Sequence, residues 1–355
     1  MKKISGQIYI ALFFLLCLIP SIGMFLGYKS EAAANEIQAK MPTSVTENGH
    51  IRKTVLKEVS AYLEDHYAMR QQLNTAWAKI NAKLFRSSVD EQIIVGKDGW
   101  LYYSPTVPDY TGQSLTNADL RAIAENLYKL QSGIEAGGSR FVFTIAPNKN
   151  SLYGEQMPAA YRNGHDQSTA ERLKPYLEEY GIHYVNLFDA FAAEPEILYY
   201  ATDSHWTEKG AALASDRILA AAEKESCFYG SGFHREGAHL GDLHEMLYPA
   251  GKASEPSVVY EGEFSYTVHG STNKGNAITI KTTNEQGEER LLCWRDSFGI
   301  TLYPYLSEAF HQSTFSRKTV YDLNEYPPSD YDVFVLEIVE RNLKNLTGDC
   351  VIPQS

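Results

Sequence analysis

Arg290-Leu291-Leu292-Cys293-Trp294-Arg295-Asp296-Ser297-Phe298-Gly299 is the stretch on which the reading of the fold turns. Arg290 to Trp294 is a short apolar run of the kind that forms a buried strand, and the chain then turns at Asp296-Ser297 into a helix. A strand, sharp turn and helix in that order expose the Ser297 hydroxyl and aim the first amides of the helix at whatever the hydroxyl attacks. An isolated Asp-Ser pair serves equally well as a helix cap, so the stretch has to be read with its surroundings.

Upstream, strand and helix patterns alternate. A helix is expected from residue 116 to Ala136, a strand from Arg140 to Ala146, a helix from Ser168 to Tyr180, a strand from His183 to Leu187 and a helix from Thr207 to Lys224. Downstream, Asp332 to Val339 reads as another strand. Alternation of this kind predicts an α/β fold, a parallel sheet flanked by helices. Residues 256–283 break the pattern. Phe264, Tyr266 and Val268, then Ile278 and Ile280, alternate around a turn, which predicts a small antiparallel β insertion.

The N-terminus carries a different signal. Lys2 and Lys3 precede an uncharged apolar run from Ile8 to Leu26, about the length of a bilayer-spanning helix. Cations before the run hold that end in the cytoplasm and place everything after Tyr28 outside. Residues 1–27 are therefore expected to be an uncleaved signal anchor, with a cleavable signal peptide ending near Ala32-Ala33-Ala34 as the alternative. Residues 28–89 are expected to be a juxtamembrane helical segment, because apolar residues recur at helical spacing from Leu56 to Leu84 without Pro or Gly. Residues 90–350 then form the main domain, opening with a hairpin of Ile93-Ile94-Val95 and Trp100-Leu101-Tyr102-Tyr103 around Gly96 to Gly99.

Of the four cysteines, Cys17 lies in the expected span, which leaves Cys227, Cys293 and Cys350 outside, where disulfides are permitted. Cys293 belongs to the buried strand, so Cys227 with Cys350 is the expected pair.

Between the 183–187 strand and the following helix lies Ala201-Thr202-Asp203-Ser204-His205-Trp206-Thr207. In an extended segment Asp203 and His205 project to the same side. A carboxylate beside an imidazole fixes its tautomer and stabilises the imidazolium formed when it takes a hydroxyl proton. Trp206 is placed to wall such a site from water. The same Asp-x-His can also be a capping Asp with a satisfied His.

Asp203-Ser204-His205-Trp206, followed far downstream by Asp296-Ser297-Phe298, resembles the DHHW and alginate O-acetyltransferase group of the SGNH hydrolase-like superfamily, in which the Asp-His pair precedes the serine. Gly96-Lys97-Asp98-Gly99-Trp100-Leu101, Ala146-Pro147-Asn148-Lys149, Gly241-Asp242-Leu243, and Glu337 with Arg341 are similar pieces in the same order. The resemblance implies an SGNH hydrolase-like fold. It also implies a single-pass membrane protein that moves acetyl groups onto or off an exported polysaccharide outside the cell, beside a multi-spanning membrane O-acyltransferase. Ser297 would be the nucleophile, His205 the general base and Asp203 its orienter, with Tyr303, Trp206, Arg295 and Asn148 as substrate contacts. No cofactor is expected. Arg295 stands where the family's usual motif has glycine, so only the Ser297 amide is assigned to an oxyanion site.

Composition limits the rest. A net charge of −12 opposes a nucleic-acid surface, since counterion release from phosphates needs an excess of cations. Water as acceptor would make an esterase and a sugar hydroxyl a transferase. Two other classes stand beside these: a non-catalytic scaffold for polysaccharide machinery, and a metal-dependent hydrolase using His234, His239 and His244 with Asp242 or Asp203. The five-residue intervals between those histidines do not place them on one helical face.

Overall fold

Strands whose side chains alternate between two apolar faces need helices on both sides, and the computed structural model has that arrangement. It describes residues 2–30, 32, 37–44, 46–47, 50–161, 167–252, 255–270, 277–349 and 351–352. The chain divides into two compact units, one of residues 1–93 with 242–253, the other of 94–241 with 254–355.

The first unit contains α1 (Lys2–Phe25), α2 (Val55–His66) and α3 (Arg70–Phe85), with a short helix at Asp242–Leu247. Gly6–Phe25 is long and apolar enough to cross a membrane, with a mean hydropathy of 2.4. The juxtamembrane helical pattern resolves into two helices because Met69 takes a left-handed conformation, φ 63°, between them.

In the second unit, the two strands β1 (Ile93–Val95) and β2 (Leu101–Tyr103) form the expected hairpin, its turn passing through Asp98 and Gly99 at φ 50° and 85°. Ile93 itself falls at the boundary of the first unit. The central sheet is built from β3 (Arg140–Ala146), β4 (Tyr184–Val185), β7 (Thr267–His269), β8 (Thr279–Thr283), β9 (Glu288–Trp294), β10 (Phe310–Ser316) and β11 (Val333–Val339). Strands β5 (Phe233–His239) and β6 (Glu255–Tyr260) form a separate antiparallel pair. The order across the sheet is β4-β3-β11-β9-β10-β8-β7. The first five strands run parallel, and β8 and β7 extend the edge antiparallel. Segment 256–283 is thus divided: its first strand pairs with β5, while the rest continues the main sheet.

Period-two alternation sorts the core. Phe141, Phe143, Leu292, Trp294, Phe334 and Leu336 pack with Leu120, Leu127 and Leu173 from α4 (Asn117–Ala136) and α5 (Thr169–Glu179). Val142, Leu291, Cys293, Val333 and Val335 face the other way, against Leu213, Ile218, Leu302 and Leu306 from α6 (Glu208–Ala221) and α7 (Gly299–Ala309). The helices begin where their caps are. Thr116 with Asp119 and Ser168 with Glu171 form reciprocal capping boxes, and the Thr207 hydroxyl accepts from the Gly210 amide at 3.2 Å.

The strand expected at 183–187 is shorter than its apolar pattern. Asn186 caps a helix at Leu187–Ala192 by accepting from the Asp189 amide at 3.2 Å, which ends β4 at Val185. Cys293 is fully buried in β9, as its run of apolar neighbours requires. The expected Cys227–Cys350 pairing involves Cys350, which lies outside the described residues.

Candidate active site

Parallel strands present their carboxyl ends to one edge of the sheet, and both short motifs lie there. After β9 the chain turns through Arg295, Asp296 and Ser297 into α7. Asp296 organises the turn. One carboxylate oxygen accepts from the Phe298 amide at 2.9 Å, and the other accepts from the Val339 amide at 2.7 Å and from the Asn342 side chain at 3.2 Å. The Asp296 amide donates to buried Glu337 at 3.1 Å. Burial, with Asp296 nearby, pushes the Glu337 carboxyl well above its ordinary range.

The Asp203–His205 loop faces Ser297. His205 Nδ1 donates to Asp203 Oδ1 at 2.8 Å, which leaves Nε2 to accept from the Ser297 hydroxyl at 3.0 Å. Asp203 and His205 do not converge by strand alternation. Asp203 Oδ1 also accepts the His205 backbone amide at 2.9 Å, so the pair sits in a tight side-chain turn. Asp203 is 7% exposed. Burial alone would raise its carboxyl, but the hydrogen bonds from His205 and His239 outweigh it and hold Asp203 well below the usual carboxylate range.

Sequence reasoning did not anticipate how much holds this loop. Lys149 is buried, and its ammonium donates to the carbonyls of Tyr200, Ala201 and Asp203 at 3.1, 2.9 and 2.6 Å. It also lies over the rings of Trp100 and Tyr102, 5.5 and 5.2 Å from their centroids. From β6, Glu255 accepts from the amides of Ala201 and Thr202 and from the Thr202 hydroxyl. From β5, His239 donates to Asp203 Oδ2 at 2.9 Å and stacks on Tyr200 with 3.7 Å between centroids. Lys149 was legible as a motif residue; Glu255 and Tyr200 had no local signal.

The four expected substrate contacts occupy different positions. Trp206 is 1% exposed, and its indole donates to Thr301 at 2.6 Å while the Phe298 ring meets it edge-on at 4.9 Å. Tyr303 is buried against Phe315 and Tyr266. The guanidinium of Arg295 donates to the carbonyls of Asp296 and Ala277 at 2.9 and 3.0 Å. Asn148 is buried after β3, where its amide donates to Glu340 at 3.1 Å. Its side-chain oxygen and nitrogen are buried without a hydrogen-bond partner among the described residues, while the nearby Asp109 accepts from the Ser114 hydroxyl and has its carboxyl pushed by burial up to about 6. Of the histidines weighed as metal ligands, His239 turns to Asp203, whereas His234 faces Glu236 and Glu261 at 3.4 Å each; His244 lies in the first unit.

Residues 93–266 match the family model for the SGNH hydrolase-like domain of the acetyltransferase AlgX. That segment belongs to the SGNH hydrolase-like family. Asp203 and His205 fall inside the matched segment, and Ser297 lies beyond its end. A probable alginate O-acetylase AlgJ of Pseudomonas syringae pv. tomato is 26% identical over 181 residues, 49% of this chain and 44% of the relative, so the chain matches less than half of that protein. Two solved structures share the fold. One is Bacillus cereus PatB1 with a sulfonyl adduct, at TM-score 0.55 and 17% identity, covering 73% of this chain and 96% of that one. The other is a DHHW family protein from Eubacterium siraeum, at TM-score 0.54 and 13% identity, covering 73% and 93%. At these identities the SGNH hydrolase-like likeness concerns architecture: a central sheet, flanking helices and small antiparallel additions.

Proposed function

We propose that this chain is an extracytoplasmic O-acetyltransferase or acetylesterase acting on an exported or cell-surface polysaccharide through an acyl-serine at Ser297. The observation that carries this reading is the unbroken relay from Asp203 through His205 to Ser297, with contacts of 2.8 and 3.0 Å. Ser297 Oγ attacks the acetyl carbonyl as its proton passes to His205 Nε2, and Asp203 stabilises the resulting imidazolium. The intermediate collapses with loss of the donor oxygen, which takes that proton. A sugar hydroxyl then gives its own proton to His205 and attacks the ester, which returns Ser297 to its starting state. Water in place of the sugar releases acetate. The Ser297 amide is the oxyanion donor; the next amide in line, Phe298, is engaged by Asp296.

Trp206, Tyr303 and Arg295 serve this site from behind, by holding the His205 loop, α7 and the serine turn. Asn148, beside Asp109, is the remaining candidate for a substrate contact. The name of the Pseudomonas relative supports a polysaccharide acceptor. The apolar Gly6–Phe25 stretch of α1, preceded by Lys2 and Lys3 at the start of the helix, supports a single-pass anchor with the enzyme outside, where a multi-spanning membrane O-acyltransferase would deliver the acyl group.

The test compares wild type with Ser297→Ala on p-nitrophenyl acetate and on acetyl transfer to a polysaccharide. Loss of a triad nucleophile costs on the order of a thousandfold or more. Equal rates would overturn the triad and favour a scaffold. A rate lost to chelator but not to Ser297→Ala would favour metal-dependent hydrolysis.

A further inference from the structure

Helix α3 has two faces that do different things. Thr75 and Ala78 are buried, and the Thr75 hydroxyl accepts from the Ala250 amide at 2.9 Å, which fixes that side to its own unit. On the opposite side, Trp77, Ile80 and Leu84 are 58%, 46% and 69% exposed. At 3.6 residues per turn these three fall within an arc of about 60°. They form an apolar stripe rather than scattered exposed residues, and such stripes mark interaction surfaces.

Charge says what the stripe meets. Between Asp65 and Asp90 the sequence has no acidic residue and four cations, Arg70, Lys79, Lys83 and Arg86, in a protein whose net charge is −12. Arg70 is balanced by Asp65 at 3.9 Å. Lys79, Lys83 and Arg86 are exposed: Lys83 flanks the stripe about 60° beyond Ile80, Lys79 about 100° beyond Ile80 on the same side, and Arg86 follows the last residue of the helix. Trp and aliphatic residues beside lysines, on a helix in the same compact unit as a bilayer-length apolar segment, are the composition of an interfacial helix. We infer that α3 lies on the outer face of the membrane, with Trp77, Ile80 and Leu84 in the headgroup boundary and Lys79, Lys83 and Arg86 on anionic lipid phosphates. The inference rests on the anchored, extracytoplasmic reading given above. It adds a second membrane contact that restrains the unit following the anchor.

The protein carries its own probe. Of four tryptophans, Trp100, Trp206 and Trp294 are buried and Trp77 is exposed. The full chain is reconstituted into phosphatidylcholine nanodiscs with and without phosphatidylglycerol, and tryptophan emission is quenched by headgroup-depth nitroxide lipid or by aqueous acrylamide. Trp77→Phe identifies the Trp77 signal. The expected result is Trp77 quenched by the nitroxide and shielded from acrylamide in anionic discs. Lys79→Glu/Lys83→Glu should reverse both, by at least about threefold. A chain retained in the discs with Trp77 open to acrylamide and untouched by nitroxide overturns the inference and leaves the anchor standing. A chain not retained overturns the anchor and the inference with it. Trp77 shielded in native membranes but open in protein-free discs assigns the stripe to a protein partner and also overturns it.

Discussion

His239 Nε2 donates to Asp203 Oδ2 at 2.9 Å, on the carboxylate oxygen that His205 does not use. The two histidines divide the carboxylate. His205 takes Oδ1 with both its ring and its backbone amide, and His239 fixes the rotation of the carboxylate about its own axis by holding the other oxygen. His239 is itself held by the parallel Tyr200 ring, whose hydroxyl accepts from the Val258 amide of β6 at 3.0 Å.

Removing His239 should therefore lower the rate at Ser297 without removing a catalytic group. A hydrogen bond to a charged partner contributes about 1.5–3 kcal/mol, so His239→Ala is expected to slow fluorophosphonate labelling of Ser297 by roughly 10- to 100-fold, with the loss in kcat rather than KM. His239→Gln, whose amide reaches the same oxygen, should recover part of the rate. Wild-type labelling in His239→Ala, or no difference between Ala and Gln, would refute the orienting role.

Lys149→Met tests the other side of the loop. Met keeps the apolar stem against Trp100 and Tyr102 but leaves the carbonyls of Tyr200, Ala201 and Asp203 without their ammonium donor. The expected cost is about 2–4 kcal/mol, read as a lower urea midpoint, together with slower Ser297 labelling. An unchanged midpoint would show that the loop does not depend on the ammonium.

How much of this the sequence disclosed follows from distance along the chain. Ser297, and Asp203 with His205, were legible because each motif is local and their order was informative. That they meet across 92 residues, at 3.0 Å, followed from the resemblance and not from periodicity. The alternating strands predicted the sheet, and their period sorted residues such as Leu291 and Leu292 onto opposite faces. Periodicity does not say which elements meet, so Glu255 on Thr202 and His239 on Asp203 were invisible. His239 stood out only as one of three histidines weighed as metal ligands. Arg295 was expected to face substrate, but the backbone carbonyls around it offered acceptors that no motif encodes.

The serine turn depends on Asp296 more than on Arg295. Asp296→Ala strips the acceptor from the amides of Phe298 and Val339 and from Asn342 at once. The expected loss is about 2–4 kcal/mol of stability with strongly reduced Ser297 labelling, whereas Ser297→Ala should leave the thermal midpoint near wild type. Equal midpoints for Asp296→Ala and wild type would contradict this account of the turn.

Glu340 gives the clearest pH dependence. It is fully buried, where it accepts from the Ser151 hydroxyl at 2.6 Å and the Asn148 amide at 3.1 Å. Burial, opposed by those hydrogen bonds and reinforced by Asp109, pushes its carboxyl from 4.5 up to about 7. Because the folded state holds this proton more tightly than the unfolded chain, stability is greatest below the unfolded value, declines as pH rises from 4.5 to about 7 and levels off above that. At about 1.4 kcal/mol per tenfold change in proton affinity, ionising Glu340 in place costs on the order of 3 kcal/mol. Asp109, raised to about 6, adds to the decline over the lower part of that range. Glu340→Gln keeps an oxygen for Ser151 and the Asn148 amide but cannot ionise, so its urea midpoint should fall less between pH 5 and 7.5 than that of wild type. Parallel curves for the two proteins over that range would mean that Glu340 is not the group whose ionisation destabilises the fold.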